Sequence, residues 1–250
     1  MHPVIRDATG ARIAVEENWL GAAYLPPAST VRKCLSAAAI SIVLLGCVRE
    51  WLRLGYGIGG TSFFSLNREQ NIGAWFSATM LAGCALILLT AGRRAEVMQQ
   101  PHRGFWFVLA ATFLALSIDE ASSVHESVMV PIQTALHSEG LFRYAWVVPA
   151  LVMVPLFALM SLPFLFSLPR RTALWFVGSG AVYVSGALGF EMIEGQTDGS
   201  GVWFVMCYLI EETLEITGIL SFLFSLMDYV ANSPSAASAV DYVNRIRAAR

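Results

Sequence analysis

The sequence is poor in charged residues, because Asp, Glu, Lys and Arg make up only 14% of it while hydrophobic residues make up 56%. Its mean hydropathy of +0.60 lies well beyond that of a soluble domain of 250 residues. A net charge of −2 and the lack of a basic cluster exclude nucleic acid as an expected partner. Composition therefore predicts an integral membrane protein.

Histidine and cysteine are scarce as well. The four cysteines lie in apolar runs without a CxxC pair, which is typical of small core residues rather than of a redox centre. Four histidines are too few for the multi-histidine zinc sites of membrane hydrolases of the ceramidase and progestin-receptor type, or for the histidine boxes of membrane desaturases. They are His2, His102, His125 and His137.

Long apolar runs are what the sequence does have, and six of them reach the ~20 residues needed to cross a ~30 Å hydrocarbon core. We therefore expect an all-α bundle of six transmembrane helices over residues 31–230, between a segment 1–30 and a tail 231–250. Residues 128–142 are expected to form a re-entrant segment or a surface loop. The six runs are 31–52, 73–92, 104–124, 144–168, 173–194 and 202–228.

The basic residues predict the orientation of these spans. Six spans place both termini on one side, and that side would carry twelve of the sixteen lysines and arginines. By the positive-inside rule both termini are cytoplasmic, and the membrane is expected to be a bacterial inner membrane. Only four arginines would then lie outside: Arg49, Arg53, Arg68 and Arg143.

Acidic residues are concentrated in the outer halves of three of the predicted helices. Because residues three or four apart share a helical face, the acids of each helix can point toward one pocket. Acids in a membrane span are costly and are a functional hypothesis by default. Arg49 and Arg53 are the arginines near enough to compensate them. The candidate residues are Asp119, Glu120, His125 and Glu126 on the third helix, Glu191 and Glu194 on the fifth, and Glu211, Glu212 and Glu215 on the sixth.

Carboxylates on facing helices with one imidazole are the donor set of di-iron and di-manganese bundles. This chain lacks the Glu-x-x-His pairs of those bundles, so hard cations such as iron, manganese or calcium fit the residues better than zinc or copper. We expect all nine candidate residues to contribute to a divalent metal site. The hypothesis makes the protein a metal-dependent oxidoreductase or hydrolase acting on a lipid or quinone from the bilayer.

Two other functions remain open. The same acids could form a relay that translocates protons or cations, although in the inner halves of the spans acids and bases occur only at the ends of the runs, as Arg32, Lys33 and Asp228. The protein could also be a non-catalytic subunit of a membrane assembly. No residue pattern names a catalytic residue, a substrate or an oligomeric state.

The pattern DE-x4-HE at the end of one apolar helix, with EE-x2-E in a later one, resembles a group of uncharacterised bacterial polytopic membrane proteins. The resemblance covers these two short motifs. It implies a bacterial membrane location and no established activity.

The charge distribution generates a prediction about topology. A compartment reporter fused after residue 230 should report the cytoplasm, because an even number of spans returns the chain to the side of its N-terminus. A reporter inserted near residue 198, between the fifth and sixth runs, should report the outer side. An outer signal after residue 230 would contradict the six-span topology.

Overall fold

A computed structural model describes residues 5–6, 12–13, 26–60, 62–67 and 70–233, and residues 1–34 and 35–250 form two separate compact units. In the first unit β1 (Ile5–Arg6) pairs antiparallel with β2 (Arg12–Ile13), with Ile5 opposite Ile13. Most of the predicted segment 1–30 and of the tail 231–250 lies outside the described residues.

The described part of the chain is otherwise helical, and six of its helices are long and apolar enough to cross a membrane. This agrees with the all-α, six-span prediction. A seventh helix, α4, has 13 residues and is too short to span. The helices are α1 (Ala28–Tyr56), α2 (Ile72–Val97), α3 (Gly104–Ser122), α4 (Val124–Leu136), α5 (Val147–Ser167), α6 (Arg170–Glu194) and α7 (Gly201–Asn232).

The six long helices of the bundle have two chemically different ends. At one end the buried Trp106 packs edge-on against Phe164 at 4.9 Å and stacks on Tyr229 at 4.9 Å. Arg94 closes this end by donating from Nη1 to the carbonyl oxygen of Val230 at 3.0 Å. At the opposite end, called the acidic end below, α1, α3 and α6 terminate and α2, α5 and α7 begin.

Helix α3 ends two residues before the end of the run 104–124 and does not continue through Glu126. The helix ends at Ser122, because Ser123 adopts a left-handed conformation with φ 53° and ψ 43°. The chain then restarts as α4 at Val124, so Glu126 does not share a helical face with Asp119. Residues 128–142 contain two short elements. The first is the remainder of α4, which ends at Leu136, and the second is a short 3₁₀ turn over Gly140–Phe142.

Helices α6 and α7 pack closely along their length, and two glycines make the approach possible. A Cβ on Gly218 would lie 2.7 Å from the backbone nitrogen of Tyr183, and one on Gly186 would lie 2.7 Å from the carbonyl oxygen of Glu211. Gly186 belongs to a π-helical stretch, Ser185–Phe190, within α6. Glycine is therefore needed on both helices for this packing.

Replacement of Gly218 by alanine should destabilise the α6–α7 pair by ~1–3 kcal/mol, since the added methyl group has backbone atoms as its neighbours. Gly180→Ala is the matched control on α6, because a Cβ there meets nothing within 4 Å. The control should be neutral or more stable by up to ~1 kcal/mol, as alanine favours helix. Thermal unfolding of the purified protein in mild detergent measures both. Equal stability of the two variants would contradict the packing.

Candidate functional site

The α6–α7 contact brings acids of the two helices together. Gly186 lets α7 approach so closely that a Cβ on this glycine would be 3.1 Å from Cγ of Glu215. Glu211 consequently lies within electrostatic range of four other acids, Glu191, Glu194, Glu212 and Glu215. The carboxyl groups predicted on these two helices thus share one region of the bundle.

Acids of α3 reach the same region less directly. Glu215 also interacts electrostatically with Glu120 and with His125 of the α3–α4 segment. The helices α3 and α7 meet through large side chains, with the rings of Phe113 and Phe222 stacked at 4.4 Å. The three acidic helices are therefore neighbours, but only α6 and α7 approach to backbone contact.

The two acids at the end of α6 are held by aromatic donors. Trp146 donates from Nε1 to Oε1 of Glu191 at 2.8 Å, and Tyr144 donates its hydroxyl to Oε1 of Glu194 at 2.5 Å. Glu194 is only 6% exposed. Burial and the adjacent Glu194 carboxylate raise the pKa of the Tyr144 hydroxyl, which keeps it a donor. The segment before α5 therefore fixes both carboxyl groups.

Asp119 and His125 form a compact pair across the break between α3 and α4. The Asp119 carboxylate accepts the backbone N–H of His125 at 2.7 Å and contacts Nδ1 of its ring at 2.9 Å. The left-handed conformation of Ser123 turns the chain so that His125 comes back to Asp119. The N–H of Ser123 itself donates to the Asp119 carbonyl oxygen at 2.7 Å. Asp119 is thus both a candidate site residue and the cap of a helix break.

Trp146 joins this pair to α6. Its ring lies 5.1 Å from the His125 imidazole, centroid to centroid, while its Nε1 donates to Glu191. Four side chains therefore form a continuous series of contacts that joins three parts of the chain. The series runs from Asp119 and His125 at the α3–α4 junction through Trp146 at the start of α5 to Glu191 near the end of α6.

The donor set for one metal ion is not assembled. Over the residues that the structure describes, no group of three or more His, Cys, Asp or Glu side chains is arranged to hold a metal ion. The region shared by Glu211 and Glu215 is electrostatic, with carboxyl groups on several helices that do not converge on one point. The sequence pattern predicted that these acids share one region of the bundle. It did not predict that their carboxyl groups lie too far apart to bind one ion.

Arg49 and Arg53 do not have the role that the sequence suggested. Both arginines pair with Glu50, an acid of α1 that is only 1% exposed, Arg53 through Nε at 2.6 Å and Arg49 through Nη1. Tyr208 is a further hydrogen-bond partner of Glu50. An acid next to Arg49 and Arg53 within an apolar run is a sequence signal of this buried ion pair, and sequence reasoning missed it. It also missed Tyr144 and Trp146 as hydrogen-bond donors to the acids of α6.

A family model matches residues 33–230, which include nearly all of the six long helices and every candidate acid. The chain belongs to the DUF8692 family. This family is described as a domain of unknown function. No curated protein and no solved structure matches the chain. Family membership therefore assigns no activity to the acids of this DUF8692 chain.

Tyr144→Phe should destabilise the protein by ~1–3 kcal/mol, since it leaves the buried Glu194 without its short hydrogen bond. The raised pKa of Tyr144 means that its contribution to stability is complete below the ordinary tyrosine value of about 10 and is lost as the pH rises through the folded-state value. Unfolding measured against pH should therefore show a smaller alkaline loss of stability in the variant.

Tyr56→Phe is the control for this substitution, because Tyr56 is 64% exposed and its ring contact with Trp51 survives in phenylalanine. It should leave both the stability and the pH profile of the protein unchanged. An equally stable Tyr144→Phe variant would remove Tyr144 from the site.

Proposed function

We propose that this protein is a multi-pass protein of a bacterial inner membrane, with both termini in the cytoplasm, that binds and exchanges protons at an outward-facing acidic site. Glu211 and Glu215 of α7 are the centre of this site, and the acids of α6 and α3 surround them. The protons would serve acid–base chemistry on a lipid or quinone that enters sideways from the bilayer.

One observation carries the proposal. Glu211 and Glu215 lie midway along a span with other carboxyl groups in electrostatic range, and in the described part of the chain neither carboxyl has a hydrogen bond or an ion pair with a base. Carboxylates grouped in a low dielectric cannot all carry charge without compensation. A proton neutralises each group where it stands and needs no convergence of donors.

The basic groups described at the acidic end support this interpretation because each forms its hydrogen bonds or ion pairs elsewhere than with Glu211 and Glu215. Arg49 and Arg53 pair with Glu50, and His125 pairs with Asp119 while acting on Glu215 only through space. Arg143 donates to the carbonyl oxygen of Thr197 and acts electrostatically on Glu194. In the inner halves of the described spans, acids and bases lie only near the helix ends, so a path across the membrane would have few titratable groups in its inner part. These residues are Arg32, Lys33, Arg93, Arg94, Glu96, Arg170, Arg171 and Asp228. Proton exchange at a site is therefore favoured over translocation.

A divalent metal site is the second candidate, and the Asp119–His125 pair favours it. Histidines that bind metals usually donate their other ring N–H to a carboxylate, as His125 can do through Nδ1 at 2.9 Å from Asp119. Iron, manganese or calcium would suit the surrounding oxygen donors. The carboxyl groups of α6 and α7 would have to move together to bind one ion, because they do not converge as they stand.

Infrared spectroscopy of the purified protein separates the two candidates. Protonated carboxyl groups give a C=O band distinct from that of carboxylates, and this band shifts in D₂O. We expect the band at neutral pH in the wild type and a loss of about one carboxyl group each in Glu211→Gln and Glu215→Gln, because amides mimic protonated acids. Both variants should remain folded for the same reason.

Glu96→Gln is the control, since Glu96 is exposed near the opposite end of the bundle and should leave the band unchanged. Elemental analysis of the same samples completes the test. One or two equivalents of iron, manganese or calcium that disappear in Glu215→Gln would replace the proton proposal by the metal site. A wild type with neither the band nor a metal would overturn both.

A further inference from the structure

A cavity of about 270 Å³ lies at the acidic end, apart from the acids of the proposed proton site. Its wall combines the end of α1, the chain just before α2 and the first turns of α7. The volume is close to the lower limit of ~300 Å³ for ligand pockets, so it suits a headgroup-sized polar moiety rather than a whole lipid. Most of its polar lining consists of Arg49, Arg53, Ser65, Asn67, Ser200 and Tyr208.

The described residues that line this cavity carry positive charge. Arg49 and Arg53 both line it, and the single carboxylate that pairs with them, Glu50, neutralises only one of the two. Each guanidinium has five N–H donors, of which the contacts to Glu50, Gly59 and Tyr208 use a part. The cavity therefore presents one uncompensated positive charge and several donors.

The start of α7 adds further donors. Ser200 precedes the helix in an extended conformation with φ −153°, and its side chain makes no capping hydrogen bond to the described chain. The first N–H groups of this 32-residue helix therefore have no side-chain cap next to the two arginines. The positive end of the helix dipole reinforces the charge of Arg49 and Arg53 there.

Aromatic residues place the cavity at the level of lipid headgroups. Trp51 lies between the two arginines in the sequence and is 60% exposed, and Trp203 follows Ser200 by three residues and is 65% exposed. Exposed tryptophans in membrane proteins concentrate at the boundary between hydrocarbon and headgroups. Anionic groups at this boundary are mainly the phosphates of lipids.

We propose that this cavity binds a phosphate-type anion, with Arg49 and Arg53 as the charged ligands and the hydroxyl of Ser200 and the N-terminus of α7 as neutral donors. Phosphate oxygens match paired guanidinium groups and helix N-termini in charge and in hydrogen-bond geometry. The group can come from the headgroup of an anionic phospholipid or from free phosphate in the outer phase. The site is independent of proton exchange at Glu211 and Glu215.

The test uses the full chain in a neutral detergent and two probes, dihexanoyl phosphatidylglycerol and inorganic phosphate. Thermal shift and native mass spectrometry measure the binding of each. We expect the wild type to bind at least one of them, and Ser200→Asp to bind it roughly tenfold or more weakly, because a carboxylate then competes with the anion. Aspartate is also a good N-cap, so this variant should fold at least as well as the wild type.

Asn71→Asp is the matched control, because Asn71 caps α2 at the same end of the bundle and its side chain already accepts from Ala74 N at 2.9 Å. It adds the same charge at another helix N-terminus and should keep full binding. Binding of the lipid but not of phosphate identifies a headgroup site, and binding of phosphate alone identifies a soluble anion. Lack of binding by the wild type, or equal loss in Ser200→Asp and Asn71→Asp, would overturn the proposal.

Discussion

The close approach of α6 and α7 is the contact on which the acidic end depends. Without a side chain at Gly186 and Gly218, the two backbones come near enough for acids of both helices to share one region. Each of these acids would be costly alone in hydrocarbon, and together they add mutual repulsion. The fold concentrates this cost in one place instead of distributing it.

The surrounding residues make this concentration tolerable. Tyr144 and Trp146 supply neutral donors to Glu194 and Glu191, and His125 supplies an imidazole to Asp119. Glu50, at the end of α1, has two arginines. The acidic end thus contains both the paired carboxylate of α1 and the carboxyl groups of Glu211 and Glu215 on α7, which form no ion pair with a base in the described chain.

Much of the fold could be predicted from the sequence because hydrocarbon imposes a simple rule of length and polarity. The six apolar runs match α1, α2, α3, α5, α6 and α7 within a few residues. The end of α3 could not be predicted, since Ser123 adopts a left-handed conformation that the Asp119–His125 contacts hold in place. Because of this break, helical spacing does not relate Glu126 to Asp119. Charge alone suggests that Arg49 and Arg53 compensate the acids of the other helices. In the structure both arginines pair with Glu50, which lies next to them in the sequence.

The π-helical stretch at Ser185–Phe190 has a consequence for how the sequences of this family can vary. A π-helical turn holds an extra residue relative to an α-helix, so deletion of one residue there would restore regular α-helix and leave the residues beyond it in nearly the same orientation. The same deletion in a regular α-helical part of α6 would rotate every residue beyond it by about 100° around the helix axis. Glu191 and Glu194 would then turn away from Trp146 and Tyr144, although every one of these residues would still be present. The π-helical stretch is therefore the part of α6 that can lose one residue without turning its acids away from their partners.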